Sequence, residues 1–256
     1  MNQSMKHDRF DESNYPYETL EKFGLTREML EDLPMNVLDD LSMGYRSPVL
    51  PIKVTDENGE VVSGRSRFAF IPSDNGGIDV LFYPALKNAP IEQFNEHQQS
   101  LLKEGKVIIA EVTLPEGQKT NAFVQVDAVT HQVLTAPISI IESNLKVLAD
   151  AAHLGSTELK SVQNGKPLTF ILEDEPVTIG IDLTDKVGVR ICEGDEQIWS
   201  EQSKKEWSKY TFGCYGCWVT DNEGNHDYIP EESYTDEIWD EQRKAGLRNM
   251  SSSIHK

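Results

Sequence analysis

The chain has 256 residues, with 24 lysines and arginines against 43 aspartates and glutamates and a formal net charge of −19. At a pI near 4.7 it lacks the clustered cations that grip a phosphate backbone, and the same charge repels anionic lipid. Three cysteines cannot close a disulfide framework.

The segment Met1–Phe10 is polar, without the apolar stretch or cleavage pattern of a signal peptide. The longest apolar runs, Phe68–Ile71 and Val107–Ala110, fall far short of a membrane span. A cytoplasmic location with reduced thiols and no membrane contact is therefore expected.

In chain order, residues 1–13 read as a mobile N-terminus and residues 14–47 as a bundle of short helices. Leu20, Phe23, Leu25, Leu30, Leu33 and Leu38 recur at helical spacings there. Gly24 is placed to end one helix, Thr26 to cap the next with Leu25 and Leu30 as its hydrophobic staple, and Pro34 to separate that helix from a third. Between Tyr17 and Met43 seven acids face only Lys22 and Arg27. That balance excludes a DNA-reading helix-turn-helix, which needs cations against phosphates.

Residues 48–192 read as strand meanders alternating with helices. Strands are expected at Leu50–Val54, Arg65–Ile71 and Ile78–Tyr83, then a helix over Ile91–Lys103. Strands follow at Val107–Thr113, Asn121–Val126 and Gln132–Thr135, with a turn at Pro115-Glu116-Gly117. The second triplet looks like a degenerate repeat of the first. An amphipathic helix follows, carried by Ile138, Ile141, Leu145, Leu148 and Ala152. Three more strands are expected at Leu168–Leu172, Val177–Leu183 and Gly188–Cys192.

Residues 193–256 read as an acidic, aromatic module: a helix over 195–209, a hairpin of 210–220 with 226–229, and a helix over 235–247. The window Glu193–Gln242 holds fourteen acids against three lysines, so it carries −11 of the −19 together with all four tryptophans. The fold class expected is α+β, with a short-helix bundle before the meanders and a helix–hairpin–helix module after them.

Two passages resemble known sequences. The first is Tyr17-Glu-Thr-Leu-Glu-Lys-Phe-Gly-Leu-Thr-Arg-Glu-Met-Leu-Glu-Asp-Leu-Pro with Arg46-Ser-Pro-Val-Leu; it resembles the opening of a family of uncharacterised proteins from gut anaerobic bacteria, often encoded with conjugative transposons. The second, Phe94-Asn-Glu-His-Gln-Gln-Ser-Leu-Leu-Lys-Glu-Gly-Lys with Ala122-Phe-Val-Gln-Val-Asp, resembles an associated domain of unknown function, which in some relatives recurs beside type IA topoisomerase segments. Phe212-Gly-Cys-Tyr-Gly-Cys-Trp-Val is similar to a stretch of full-length members. The resemblance implies an accessory role on a mobile genetic element and carries no catalytic residues.

The sharpest chemical motif is Cys214-Tyr215-Gly216-Cys217. Two thiols at this spacing can chelate zinc if His226 and Cys192 complete the set, or form a redox pair. A thioredoxin-like pair, however, sits where a strand enters a helix, and here Trp218-Val219-Thr220 runs into a turn. The plainer reading is a strand whose Gly213 and Gly216 let the backbone pass close to large aromatics, with the thiols as packing groups and no cofactor. The histidines His7, His97, His131, His153, His226 and His255 show no metalloprotease spacing, and there is no nucleophile elbow or P-loop.

Three functional readings follow. The first is a non-catalytic interaction protein that takes a basic or DNA-binding protein partner at an aromatic surface formed by Trp199, Trp207, Tyr215, Trp218, Tyr228 and Trp239. Against it stands the plain alternative that these rings are the core of a small acid-coated domain. The second is an acidic mimic of nucleic acid that occupies a DNA-binding enzyme. The third is an enzyme of unknown class.

Overall fold

Short amphipathic helices and period-two strands cannot bury their apolar sides alone, and each of the four meanders in this chain finds a partner layer. A computed structural model describes residues 9–55, 58–113, 117–151, 154–202 and 207–254. Among these are eight α-helices and four three-stranded antiparallel sheets, an α+β fold. The chain divides into two units. One combines residues 1–84 with 205–256, and the other is 85–204. These divisions differ from the 47/48 and 192/193 boundaries read from composition.

The first unit opens with a 3-10 turn, Glu12–Asn14, then α1 (Tyr17–Glu21), α2 (Arg27–Glu31) and α3 (Met35–Ser42). Gly24, at φ +76°, reverses the chain after α1. The Thr26 hydroxyl accepts the Met29 N–H at 3.3 Å to start α2. The strands β1 (Leu50–Thr55), β2 (Val61–Pro72) and β3 (Ile78–Pro84) form a meander. Its central strand starts four residues earlier than expected. Val61–Gly64 are exposed and continue the pairing with β1 beyond the core. Residues 1–8 of the expected mobile segment lie outside the described residues. Phe10 is anchored, its N–H donating to Ser42 O at 2.7 Å and its ring set edge-on to Phe70. The core joins Leu20, Leu25, Leu30, Leu33, Val37 and Leu41 from the helices and their connections to Leu50, Phe68 and Phe70 from the sheet. Trp218 from the far end of the sequence completes it.

The second unit holds α4 (Glu96–Lys103), β4 (Ile108–Thr113), β5 (Lys119–Val126), β6 (Val133–Pro137), α5 (Ile138–Ala151), α6 (Ser156–Gln163), β7 (Leu168–Leu172), β8 (Glu175–Ile181), β9 (Val189–Glu193) and α7 (Glu196–Gln202). Central strand β5 is buried on both faces. Val124 and Val126 pack with Ile91, Phe94 and Leu102, while Phe123 packs with α5, α6, β8 and β9 through Ile141, Leu145, Val162, Ile179 and Val189. The helix expected from Ile91 begins only at Glu96. Asn95 and Gln98 form a reciprocal capping box there (2.9 and 3.2 Å), and Ile91–Phe94 make a separate buried turn. Helix α6 was not anticipated; Glu158 reaches back to the Gly155 N–H at 2.7 Å to start it. Glu173 and Asp174 both have positive φ and close the tight β7–β8 turn in the type I′ manner. The residues Pro115, Glu116, Ala152 and His153 of the expected elements lie outside the described residues.

The C-terminal segment returns to the first unit as β10 (Tyr210–Phe212), β11 (Gly216–Thr220), β12 (His226–Pro230), a 3-10 turn Glu231–Ser233 and α8 (Asp236–Ile254). What read as one strand over 210–220 is two strands, broken by a tight turn in which the Gly213 N–H donates to Gly216 O at 2.9 Å. Asp32, at the C-cap of α2, is 3% exposed and fills this turn. Its carboxylate accepts the backbone N–H of Cys214 (2.5 Å), that of Tyr215 (3.0 Å) and the Tyr228 hydroxyl (2.6 Å). A Cβ on Gly213 would lie 2.1 Å from the Asp32 carboxyl carbon, so only glycine leaves room for it.

Deleting the buried carboxylate strands two amides and a phenol in a partly buried site. Asp32→Ala is expected to cost about 3 kcal/mol or more in urea unfolding. Gly213→Ala is expected to cost a comparable amount; a loss under about 0.5 kcal/mol in both would refute this role for the turn.

Candidate partner-binding surface

The hairpin tip held by Asp32 positions everything around it. Tyr215 sits at the tip, and its carbonyl accepts the Glu231 N–H at 3.0 Å, which draws the Glu231-Glu232 turn alongside. Beyond that turn, Thr235 caps α8 by accepting the Ile238 N–H. Ile238 is buried, and Glu237 accepts from the Tyr210 hydroxyl (2.7 Å) and from Lys209 (3.1 Å). These contacts fix the first turn of α8 and leave Trp239 facing outward, edge-on to Tyr234 at 5.1 Å.

Tyr215 and Trp239, 47% and 38% exposed, border one shallow depression of about 490 Å³. Glu28, Cys214, Pro230, Glu231 and Glu232 complete its wall. Among the described residues no lysine or arginine pairs with Glu28, Glu231 or Glu232. The negative field reaches the tip: the nearby Glu31 charge, with a hydrogen bond to the same group, holds the Tyr215 phenol above its ordinary value.

The other aromatics expected at a partner surface are placed differently. Trp218 is fully buried, its indole N–H donating to Met29 O at 3.2 Å, so it belongs to the core and cannot meet a partner in the folded state. Trp207 is half-buried, edge-on to Trp218 and stacked on the His226 ring at 4.1 Å. Tyr228 spends its hydroxyl on Asp32. Trp199 lies in the other unit, where Arg190 stacks on it at 4.0 Å and its indole closes on Gly180. Glu28 carries no local signal of this role, because its place beside the tip depends on a contact across most of the chain.

The proposed metal ligands do not gather. Cys192 is on β9 in the second unit, whereas Cys214, Cys217 and His226 are in the first. Among the described residues no three His, Cys, Asp or Glu side chains group as an ion would require. The Cys214 thiol is exposed at the hairpin tip. Cys217 is buried on β11, and desolvation pushes its thiol up to about 11, the opposite of a reactive thiolate. Gly216 lets Tyr228 lie against the strand, since a Cβ there would come within 2.5 Å of the Tyr228 hydroxyl. His226 is a packed ring: it shares a 2.9 Å hydrogen bond with the Thr220 hydroxyl, and Arg65 spans from its carbonyl to Asp227.

Burial first, then the charges of Arg65 and Arg67, pushes the His226 imidazole down from 6.5 to about 4. The unfolded chain takes up a proton near pH 6.5 that the folded chain refuses until far lower. Stability present above pH 6.5 is therefore lost as pH falls towards 4, by on the order of 3 kcal/mol. His226→Phe is expected to flatten that part of the stability–pH curve in urea unfolding; an unchanged slope would contradict the assignment.

Residues 10–93 match the sequence profile of a family described as protein of unknown function (DUF4099). That stretch, similar to an uncharacterised domain, contains α1–α3 and β1–β3 and so contributes Glu28 to the depression and the buried Asp32 that holds the hairpin tip. No curated protein and no solved structure matches the chain. Among the described residues no helix is long and apolar enough to cross a membrane.

Proposed function

We propose that the protein is a non-catalytic interaction protein whose Tyr215–Trp239 depression takes a basic segment of a protein partner. One observation supports this above others: two outward aromatic rings share a depression with three carboxylates that pair with no lysine or arginine among the described residues. A lysine or arginine laid there meets ring faces and carboxylates together. Exposed ion pairs alone add about 0–1 kcal/mol, and a cation on an aromatic face adds ~0.5–2 kcal/mol. The rings would therefore anchor the partner, while the carboxylates steer and select it. The resemblance to proteins encoded with conjugative transposons supplies a setting, in which the partner is a basic or DNA-binding protein of such an element.

A lysine- and arginine-rich peptide titrated against the full chain is expected to bind with micromolar affinity. Trp239→Ala should weaken it about tenfold, and Glu231→Gln with Glu232→Gln should remove most of its salt dependence. Equal binding by the Tyr215→Ala/Trp239→Ala protein would overturn the assignment. A bound partner competed off by duplex DNA would instead favour nucleic-acid mimicry.

A further inference from the structure

The second unit carries a depression of opposite character. It measures about 610 Å³, and its lining includes polar Lys87, Lys103, His131 and Gln99 together with apolar Ile91, Leu102 and Val126. Neither lysine pairs with a carboxylate among the described residues, in a protein of net charge −19. Glu92 at the rim is the one acid in the lining.

His131 is held in a fixed orientation at this depression. Its backbone sits at φ +55°, a conformation that a histidine adopts at a cost. Two hydrogen bonds maintain it against the chain that follows β3: the Leu86 N–H donates to Thr130 O at 2.7 Å, and the His131 ring Nδ1 lies 2.7 Å from Leu86 O. Buried Asp127 supports the loop, its carboxylate accepting the Val129 N–H at 2.9 Å, while its carbonyl accepts the His131 N–H at 2.8 Å. With Nδ1–H donating to a carbonyl, Nε2 is the ring atom left to meet a ligand. On the facing helix, Gln99 Nε2 is likewise committed to Phe94 O at 2.7 Å.

From this geometry we infer that the pocket binds a small organic phosphate, with the phosphoryl group between Lys87, Lys103 and His131 and the organic part on Ile91, Leu102 and Val126. Two ammonium groups outweigh the single carboxylate for a dianion, the imidazole adds a donor at Nε2 when both its nitrogens carry protons, and the apolar lining residues favour a ligand larger than the free ion. The site lies wholly within the second unit and does not depend on the partner surface of the first.

Phenyl phosphate titrated into the full-length protein, followed by amide NMR shifts, tests the assignment. Saturable binding near ~1 mM, with shifts confined to 86–89, 99–105 and 126–131, is expected. Lys87→Met with Lys103→Met, both exposed and neutral to the fold, should weaken it about tenfold or more. His131→Asn, which tolerates the left-handed backbone, should weaken it severalfold. Shifts elsewhere, no saturation by about 10 mM, or undiminished binding by the double-lysine variant would overturn the proposal. So would phenol binding as well as phenyl phosphate. Inorganic phosphate binding equally tightly would overturn the organic half of it. Basic-peptide binding measured on the same lysine variant is expected to be unchanged, which separates this outcome from that of the first unit's surface.

Discussion

The first unit depends on one buried carboxylate. Asp32 ends α2, and nearly two hundred positions later in the chain its oxygens receive the amides of Cys214 and Tyr215 and the phenol of Tyr228. A buried carboxyl group is tolerated only when hydrogen bonds replace its water, and here two backbone N–H groups and a phenol do so. The arrangement dictates its surroundings. Gly213 must lack a Cβ, Tyr228 must reach across Gly216, and the hairpin tip must face α2. Trp218 then drops into the helical core, with its N–H satisfied by Met29 O. The segment similar to an uncharacterised family thus lacks part of its own core until the C-terminal sheet returns to it.

The same constraint presents the exposed aromatics. With the tip fixed, the Tyr215 carbonyl draws in the Glu231-Glu232 turn, and α8 begins where Trp239 must face outward. In the proposed function, rings anchored in this way would lose little freedom on meeting a cation. The second unit uses its charge differently. Asp182 and Arg190 pair at 2.9 Å, largely buried against Trp199, and this contact serves packing. Lys87 and Lys103, which pair with no carboxylate among the described residues, line the depression proposed to take a phosphate.

Much of this architecture was legible in the sequence, because meanders announce themselves by alternation and turn residues. Strands near Leu50, Ile78, Leu168 and Val177 and the Thr26 cap follow from local rules. Asp32 did not follow. Locally it is one acid among seven on short helices, and such acids usually face water. Its burial is decided by partners distant in sequence. The tryptophan-rich end likewise showed its composition but not which rings face inward. Trp218 and Trp239 are indistinguishable until the register of β11 and the start of α8 are known. The Asn95–Gln98 capping box was legible, but the apolar spacing of Ile91 and Phe94 pointed to an earlier start. The Cys-x-x-Cys spacing, suggestive of metal, turns out to straddle a hairpin corner, with one thiol outside and one inside.

If Asp32 couples the N-terminal helices to the C-terminal sheet, the two must open together. Native-state hydrogen exchange on full-length protein, unaltered and carrying Asp32→Asn, tests this most directly. Amides of α2, α3 and β11 should share one opening free energy and lose protection by the same amount in the variant. Loss confined to Cys214 and Tyr215, with α2 and α3 unchanged, would contradict the account.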